Sequence, residues 1–352
     1  MASGRSTSLT TEDRAAGAIM GAMIGDALGL GCHWYYDLDQ LKREFGDWIS
    51  DYTTPRRGHY HYGCKAGDVS QSGQLYQFLL ESLNEHGEYT EEDYCSRVDA
   101  LLATLDGTRQ GGRYTQKDMV DVWRNRVVLK KPWSESGSLH GDTTDSCVRA
   151  AALAARYHND LPTLVKMIRS NAHLQYRDPH LQTQSIAFGL TVACLISGIG
   201  YTSVSGHLME LISRGVLPFS SAGAPDRESD DNPEPDALLW SAYCARAMAH
   251  PEIPVEPRTA PQMYGLACSF YMVMPGAYYL AARYPNDFEK AVLSAINSGG
   301  QNLARASLTG ALVGAMTGLS GIPERFIKGL TDGEKWLSIA KKVAQDGISD
   351  KN

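Results

Sequence analysis

The chain has 352 residues, of which 43% are hydrophobic and 21% charged, and its net charge is −7. This composition is typical of a soluble globular protein, and the mild acidity without a basic stripe argues against nucleic-acid binding. The seven cysteines are scattered and form no C-x-x-C pair, which favours reduced thiols over disulfides or a zinc site. Because the first residues carry no apolar signal segment, we expect a cytoplasmic protein.

Apolar residues recur at three and four spacing along nearly the whole chain, whereas period-two strand patterns are almost absent. The sequence therefore predicts an all-α protein. The first helix opens at a capping box, Thr10-Thr11-Glu12-Asp13. The later predicted helices cover residues 71–83, 91–105, 116–127, 144–157, 161–170, 181–197, 201–213, 237–249, 262–282, 286–296, 304–319, 323–330 and 333–344.

One domain is predicted over residues 11–345, with flexible ends at 1–10 and 346–352, because no linker divides the chain cleanly. Inside it, the acidic, proline-rich segment 218–236 has the composition of a mobile loop. The proline-punctuated segment 250–261 is expected to be extended.

Glycines recur at every fourth position near both ends of the chain, at Gly17, Gly21, Gly25 and Gly29 and again at Gly310, Gly314 and Gly318. On a helix this spacing forms one stripe that lets a neighbouring backbone come close. We predict two core helices that pack on each other and bring Asp26 near the turn 298–302. The alternative is two ordinary buried helices; neither stretch has the ~20 uninterrupted apolar residues of a membrane span.

Three further segments carry candidate chemistry. Residues 25–37 join Asp26 to the aromatic run CHWYYD, whose rings either stack on a ligand or fill the core. Residues 65–71 hold Asp68 at a helix start, where it binds a ligand or caps the helix. In 140–149, Asp142 and Asp145 either transfer protons or form a capping box.

These segments, in this order, resemble the ADP-ribosylglycohydrolase superfamily over nearly the whole chain. The resemblance rests on GDALG at 25–29, the acidic helix-opening motif at 67–71, a middle helix with Arg149, and the Gly-Gly turn leading into a glycine-striped helix. The segments GCHWYYDLDQL and SGGQNLARASLTGALVGA are most similar to the branch with the J-type crystallins of jellyfish lenses and selenoprotein J. The resemblance implies an all-α fold whose active members hold two magnesium ions in a cleft and hydrolyse the glycosidic bond of ADP-ribose.

The same resemblance places the magnesium ligands in two motifs that this chain has altered. The Thr-Asp-Asp-Thr motif falls on residues 67–70, where Asp68 is the one remaining carboxylate. The Gly-Gly-Asp-Thr-Asp-Thr motif falls on 299–304, where Gln301 and Leu303 replace both aspartates. Magnesium requires carboxylate charge, so we expect neither a magnesium site nor another cofactor.

The surviving polar residues still define a candidate site. The predicted acids and bases are Asp26, Asp68, Asp142 and Asp145, and the predicted substrate-binding residues are His33, Tyr35, Ser70, Gln71, Gly299, Gly300, Gln301, Asn302 and Arg305. We expect a metal-independent hydrolase or lyase acting on an ADP-ribose-like or other small polar molecule, with no nucleic-acid or membrane partner. The alternative is a catalytically inactive pseudoenzyme or a crystallin-type structural protein.

Overall fold

The computed structural model describes residues 9–109, 113–217, 249–250, 252–253 and 255–349. In these ranges the regular structure is helical, and extended segments meet only in isolated bridges. The predicted all-α class is therefore confirmed. The predicted acidic loop 218–236 lies outside the described residues, as does the predicted helix 237–249 apart from its last residue.

Fifteen α-helices follow one another in the described part of the chain. They are α1 (Thr11–Leu30), α2 (Leu38–Phe45), α3 (Gln71–His86), α4 (Glu91–Leu102), α5 (Lys117–Trp123), α6 (Asp145–Tyr157), α7 (Leu161–Gln175), α8 (Pro179–Ile196), α9 (Val204–Ser213), α10 (Ala260–Tyr264), α11 (Phe270–Arg283), α12 (Phe288–Asn297), α13 (Asn302–Thr317), α14 (Glu324–Gly329) and α15 (Gly333–Ser349). None of them is long and apolar enough to cross a membrane.

Besides small shifts at several helix ends, the helices differ from the sequence prediction in three larger ways. Helix α2 was not predicted, although Asp37 caps its start and Gly46, with φ 88°, ends it. The predicted helix 262–282 is two helices, because Gly265 adopts φ 113° and breaks the chain direction between them. Helix α15 runs five residues past its predicted end and so continues into the segment 346–352, which was assigned to a flexible terminus.

The start of α1 confirms one half of its predicted capping box. The Thr10 hydroxyl accepts a hydrogen bond from the amide of Asp13 at 3.1 Å. The Asp13 carboxylate does not return to Thr10 but accepts from the amide and hydroxyl of Ser320, in the turn after α13. This cap therefore also ties the two ends of the chain together.

The glycine stripes pack helices α1 and α13 against each other, as predicted. A Cβ atom at Gly21 would lie 2.1 Å from the carbonyl oxygen of Gly310, and one at Gly17 would lie 2.3 Å from that of Gly314. Farther along the same face, Gly25 meets Ala306. The pairing runs in opposite directions along the two helices, so they are antiparallel and their backbones are in contact. The carboxyl end of α1 consequently lies beside the amino end of α13.

Candidate active site

Asp26 occupies the last third of α1 and is buried against the start of α3. Its carboxylate accepts hydrogen bonds from the Ser70 hydroxyl at 2.9 Å and the Ser70 amide at 3.1 Å. Ser70 is also the N-cap of α3 and accepts from the amide of Gly73 at 3.2 Å. Burial raises the pKa of Asp26 from 3.8 to about 7, although both bonds from Ser70 oppose the shift. Asp26 therefore exchanges a proton near neutral pH.

Two more buried carboxyl groups, Asp118 and Asp145, lie in the same region. The side-chain amide of Gln175 donates to both, at 3.2 Å to Asp145 and in a short contact to Asp118. Gln116 donates to both oxygens of Asp145 at 3.0 Å. Burial raises the pKa of Asp118 to about 7 and also raises that of Asp145. Negative charge on Asp145 raises the pKa of Asp26, which joins the three groups electrostatically.

Arg149 supports this carboxyl cluster indirectly, through hydrogen bonds to amide side chains and not to a carboxylate. It is fully buried and donates to the side-chain oxygens of Asn171 and Gln175, each at 2.7 Å. Gln175 thus accepts from Arg149 with its oxygen and donates to Asp118 and Asp145 with its nitrogen. The amide orientation is fixed, because a flipped Gln175 would place its NH2 group against the guanidinium.

A second buried network joins the carboxyl end of α1 to the start of α13. His33 Nε2 lies 2.8 Å from the side-chain oxygen of Gln301, which also accepts a short hydrogen bond from the Trp34 indole. His33 Nδ1 lies 2.8 Å from Nε2 of His61, and Nδ1 of His61 accepts from the Tyr114 amide at 3.2 Å.

The fixed donors at both ends of this network determine the protonation of the two rings. The Tyr114 amide must donate to His61 Nδ1, so His61 carries its hydrogen on Nε2 and donates to His33 Nδ1. His33 then carries its hydrogen on Nε2 and donates to Gln301. Burial lowers the pKa of His61 to about 3 and the pKa of His33 well below its usual value, so both rings are neutral.

The segment 113–116 connects the two networks, because it runs alongside the start of α3. Arg113 donates to the Val69 carbonyl at 2.8 Å, and Gln71 donates to the Thr115 hydroxyl at 2.9 Å. One residue farther on, Gln116 donates to the Ser72 hydroxyl at 3.1 Å as well as to Asp145. This segment thus reaches from the histidine pair to the carboxyl cluster.

The Gly-Gly turn supports the site through its backbone. Gly299 and Gly300 have φ angles of 73° and 59°, which favour glycine. The Gly300 amide donates to the Tyr35 carbonyl at 2.7 Å, and its carbonyl accepts from the Trp34 amide at 3.0 Å. Arg305 is fully buried and donates to the carbonyls of Ala295 and Gly299. Arg305 therefore closes the turn, and its role in binding a substrate stays a prediction.

Asn302 and Tyr35 also turn inward. The Asn302 amide donates to the carbonyl and sulfur of Cys32, both at 3.0 Å, which fixes the end of α1. The Tyr35 hydroxyl donates to Glu44 in α2, and its ring stacks on His59. Both residues therefore position neighbouring segments of the protein, and their contact with a substrate stays a prediction.

Aromatic rings cover the outer side of the histidine network. The partly exposed Trp34 ring meets the edges of Tyr60 and Tyr114, each with centroids 4.6 Å apart. Tyr36 is 53% exposed and Tyr60 is 43% exposed. Trp34 holds this position with φ 62°, a conformation rare for a bulky residue. These four rings, the aromatic face, offer flat apolar surface of the kind that stacks on a base or a sugar.

Two predicted acids, Asp68 and Asp142, form no hydrogen bond with the two networks in the described residues. Asp68 accepts from the Lys65 amide and the Thr331 hydroxyl, both at 2.8 Å, and so fastens its loop to the segment before α15. Asp142 is exposed, and its backbone carbonyl accepts from the Phe270 amide. The capping box considered for Asp142 and Asp145 does not form, because the N-cap of α6 is Thr144.

The residues at the altered motif positions do not fit two magnesium ions. The oxygens of Asp68 are engaged by Lys65 and Thr331, and the Gln301 oxygen accepts from His33 and Trp34. Leu303 is buried and packs against the backbone of α1 at Gly29, and its side chain has no oxygen that could bind a metal. This donor set lacks the carboxylate charge that magnesium requires.

One cluster with the spacing of a metal site exists in the described part of the chain, at Glu85, His86 and Asp93 on the surface. Arg97 already pairs with Glu85 at 2.5 Å and with Asp93 at 2.7 Å. The guanidinium neutralises these carboxylates, so the cluster is an ion-pair network.

Sequence reasoning missed several members of the site. Gln116 and Asp118 lie on the predicted helix 116–127, Gln175 lies beyond the predicted end of helix 161–170, and His61 lies in the loop 53–67; no motif marks any of them. A Cβ atom at Gly73 would lie 2.2 Å from Asp26, so this glycine permits the close approach of α3 to α1, but it does not indicate any of the missed residues. The spatial grouping of the other residues depends on long-range packing.

Comparisons with known proteins agree with this architecture. The family model of the ADP-ribosylglycohydrolases matches residues 7–351. An uncharacterized protein of Archaeoglobus fulgidus is 24% identical over 94% of this chain and 96% of its own length. Crystallin J1A of Tripedalia cystophora is 22% identical over 95% of this chain and 97% of its own. A solved ADP-ribosylglycohydrolase-related protein complex contains a chain with a TM-score of 0.67 and 19% identity, covering 96% of this chain and 99% of that one.

Proposed function

Since this chain belongs to the ADP-ribosylglycohydrolase family, we propose that it is a metal-independent hydrolase or lyase acting on an ADP-ribose-like or other small polar molecule. Asp26 is the proposed proton-transferring group, and the aromatic face is the proposed platform for a base or sugar ring.

The observation that carries this proposal is the state of Asp26. Its carboxyl group is buried, no guanidinium or ammonium forms an ion pair with it in the described residues, and its pKa of about 7 lies close to working pH. A group with such a pKa both gives and takes a proton, which is the requirement for general acid–base catalysis. Because the altered motifs do not fit magnesium, the reaction is assigned to protein groups.

The rival proposal is a catalytically inactive protein, either ligand-binding or of the crystallin type. One observation favours it: Gln71, Gln116, Gln175 and Gln301 form hydrogen bonds with neighbouring side chains of the site, which leaves fewer donors for a substrate. The similarity to Crystallin J1A extends over nearly the whole chain.

The test combines binding and turnover in buffer containing EDTA. ADP-ribose and nucleotides are screened by thermal shift, because a ligand of the native state raises the melting temperature. Release of ADP-ribose from glycosidic ADP-ribosyl compounds is then followed by NMR. The proposal expects turnover that Asp26→Asn lowers by about 10²-fold or more and that the exposed control Glu92→Gln leaves unchanged.

Ser70→Ala gives a second readout. It removes a hydrogen bond that lowers the pKa of Asp26, so the pH–rate limb due to Asp26 should move to higher pH. Ligand binding without turnover in any compound would favour the rival proposal. Neither binding nor turnover would leave the crystallin-type role as the better description.

A further inference from the structure

Asp118 and Asp145 are bridged by one amide group. The two N–H bonds of Gln175 Nε2 are directed at the two carboxyl groups, one on each. Asp118 lies in α5 and Asp145 opens α6, so the bridge joins residues that are far apart in sequence. Both side chains are at most 3% exposed. Water therefore contributes little to stabilising a charge on either.

The surroundings of this pair supply less positive charge than two carboxylates need. Arg149 is the nearby cation, and its guanidinium is directed at Asn171 and Gln175. Asp26 adds a third acid on the side of α1. The remaining titratable groups that face the pair are Tyr94, Tyr114, Tyr176, Cys147 and Cys268. All of them are wholly or partly buried, which raises their pKa, so they stay neutral.

The hydrogen bonding of Asp118 also indicates that the pair does not carry two negative charges. Its Oδ1 atom is buried and has no hydrogen-bond partner in the described residues. A buried ionised oxygen without a donor is costly, whereas a protonated carboxyl at the same place avoids most of that cost. Asp145 is better supplied, because Gln116 donates to both of its oxygens. The negative charge therefore belongs mainly on Asp145 and the proton mainly on Asp118.

We infer that Asp118 and Asp145 share one proton as a coupled pair, and that the single negative charge of the pair tunes the proton affinity of Asp26. The tuning role rests on the proposed function, in which Asp26 transfers the proton; the shared proton does not. Gln175 is the positioning residue, since it holds both carboxyl groups on one amide and is itself oriented by Arg149. Negative charge at Asp145 is among the causes that raise the pKa of Asp26, in agreement with this coupling.

The test is carried out on the ligand-free full chain with ¹³C-labelled aspartate carboxyls. Resonances are assigned with Asp26→Asn, Asp118→Asn and Asp145→Asn, and the exposed Asp39→Asn serves as the matched control. In the wild-type protein the Asp118 and Asp145 resonances should both move in two steps, with one proton held by the pair at pH 6. Two independent single-step curves, or a pair without a proton at pH 6, would overturn the inference.

The variants test the coupling separately. Asp145→Asn should lower the titration midpoint of Asp26, and Asp39→Asn should not move it. An unchanged midpoint in a folded Asp145→Asn protein would refute the tuning role. If Asp145→Asn does not fold, the wild-type curves still decide whether the proton is shared.

A cation is the competing occupant. Titration with Mg²⁺ or Ca²⁺ that releases the pair's proton at pH 6 with saturable binding would overturn the inference, because the pair would then be a metal site. Absence of turnover together with coupled titration curves would leave the shared proton standing and remove the proposed function. Turnover together with independent titration curves would support the proposed function and overturn the shared proton.

Discussion

Gly21 and Gly310 face each other across the central helix crossing. A Cβ atom added at Gly21 would lie 2.1 Å from the Gly310 carbonyl oxygen, and one added at Gly310 would lie 2.0 Å from the Gly21 carbonyl oxygen. No real Cβ atom lies this close to a backbone oxygen, so only glycine fits at either position. The crossing fixes the axial position of α1 relative to α13. It thereby also sets the distance between His33, just after α1, and Gln301, just before α13.

Substitution of Gly21 or Gly314 by leucine should destabilise the fold severely, and Gly21→Ala is already expected to lower the free energy of unfolding. Overpacking typically costs about 1 to 3 kcal/mol, and here the obstacle is backbone. Urea denaturation measures the effect. Gly206→Ala is the control, because nothing lies within 4 Å of its Cβ position and alanine is favoured in a helix. A Gly21→Ala protein as stable as Gly206→Ala would contradict the close packing.

Asp26→Asn should change the pH dependence of stability. The pKa of Asp26 is raised from 3.8 to about 7, so between about pH 4 and 7 the folded state binds this proton more tightly than the unfolded state. The resulting stabilisation is fully present below about pH 4 and is lost as the pH rises through 7.

The asparagine variant has no titrating group at this position. The difference between its free energy of unfolding and that of the wild type should therefore shift in favour of the variant as the pH rises. The gain is at most about 1.4 kcal/mol per pH unit. Urea midpoints at pH 5, 6, 7 and 8 measure it. Parallel curves for the two proteins would show that Asp26 titrates normally.

The two buried histidines should contribute with the opposite sign. Burial lowers the pKa of His33 and His61, so below about pH 6.5 the unfolded state binds more protons and stability falls with falling pH. At pH 7, ¹⁵N spectra should show both rings neutral with the hydrogen on Nε2. A doubly protonated ring, or a neutral ring with its hydrogen on Nδ1, would contradict the hydrogen-bond chain that runs from the Tyr114 amide to Gln301.

Asp68→Ala should lower stability modestly and leave any ligand affinity unchanged. It removes the bonds to the Lys65 amide and the Thr331 hydroxyl, which we expect to cost about 1 to 2 kcal/mol. A double-mutant cycle with Thr331→Val measures the pair. If Asp68→Ala weakens a ligand while that cycle shows no coupling, Asp68 belongs to the binding site after all.

Magnesium and EDTA should change neither the melting temperature nor any activity. The reason is that Gln301 and Leu303 stand where the family motif has aspartates, and amide oxygens supply only dipoles. Calorimetry decides this. A saturable isotherm with micromolar affinity, abolished by Asp26→Asn, would show that other carboxylates hold the ion.

The sequence by itself determined the helical class, the contact between the two glycine-striped helices and the family. These features are local or periodic: apolar spacing decides which face of a helix is buried, and a row of glycines has few uses other than close packing. Asp26 and Ser70 were predicted as site residues because each stands in a recognisable motif at a helix, and the structure places the two in contact.

Only the tertiary structure decided which polar residues meet. Asp118, Gln116 and Gln175 join Asp145 because α5, α6 and α7 pack together, and nothing in their local sequence marks that encounter. Arg305 and Asn302, in contrast, stand in a motif, but the hydrogen bonds that they donate go to backbone carbonyls and, for Asn302, also to the sulfur of Cys32. A side chain's role depends on the partners that remain within about 3 Å after folding, and burial then shifts its pKa. The partners of a side chain and its shifted pKa both depend on the packed chain, so sequence pattern and spacing do not predict them.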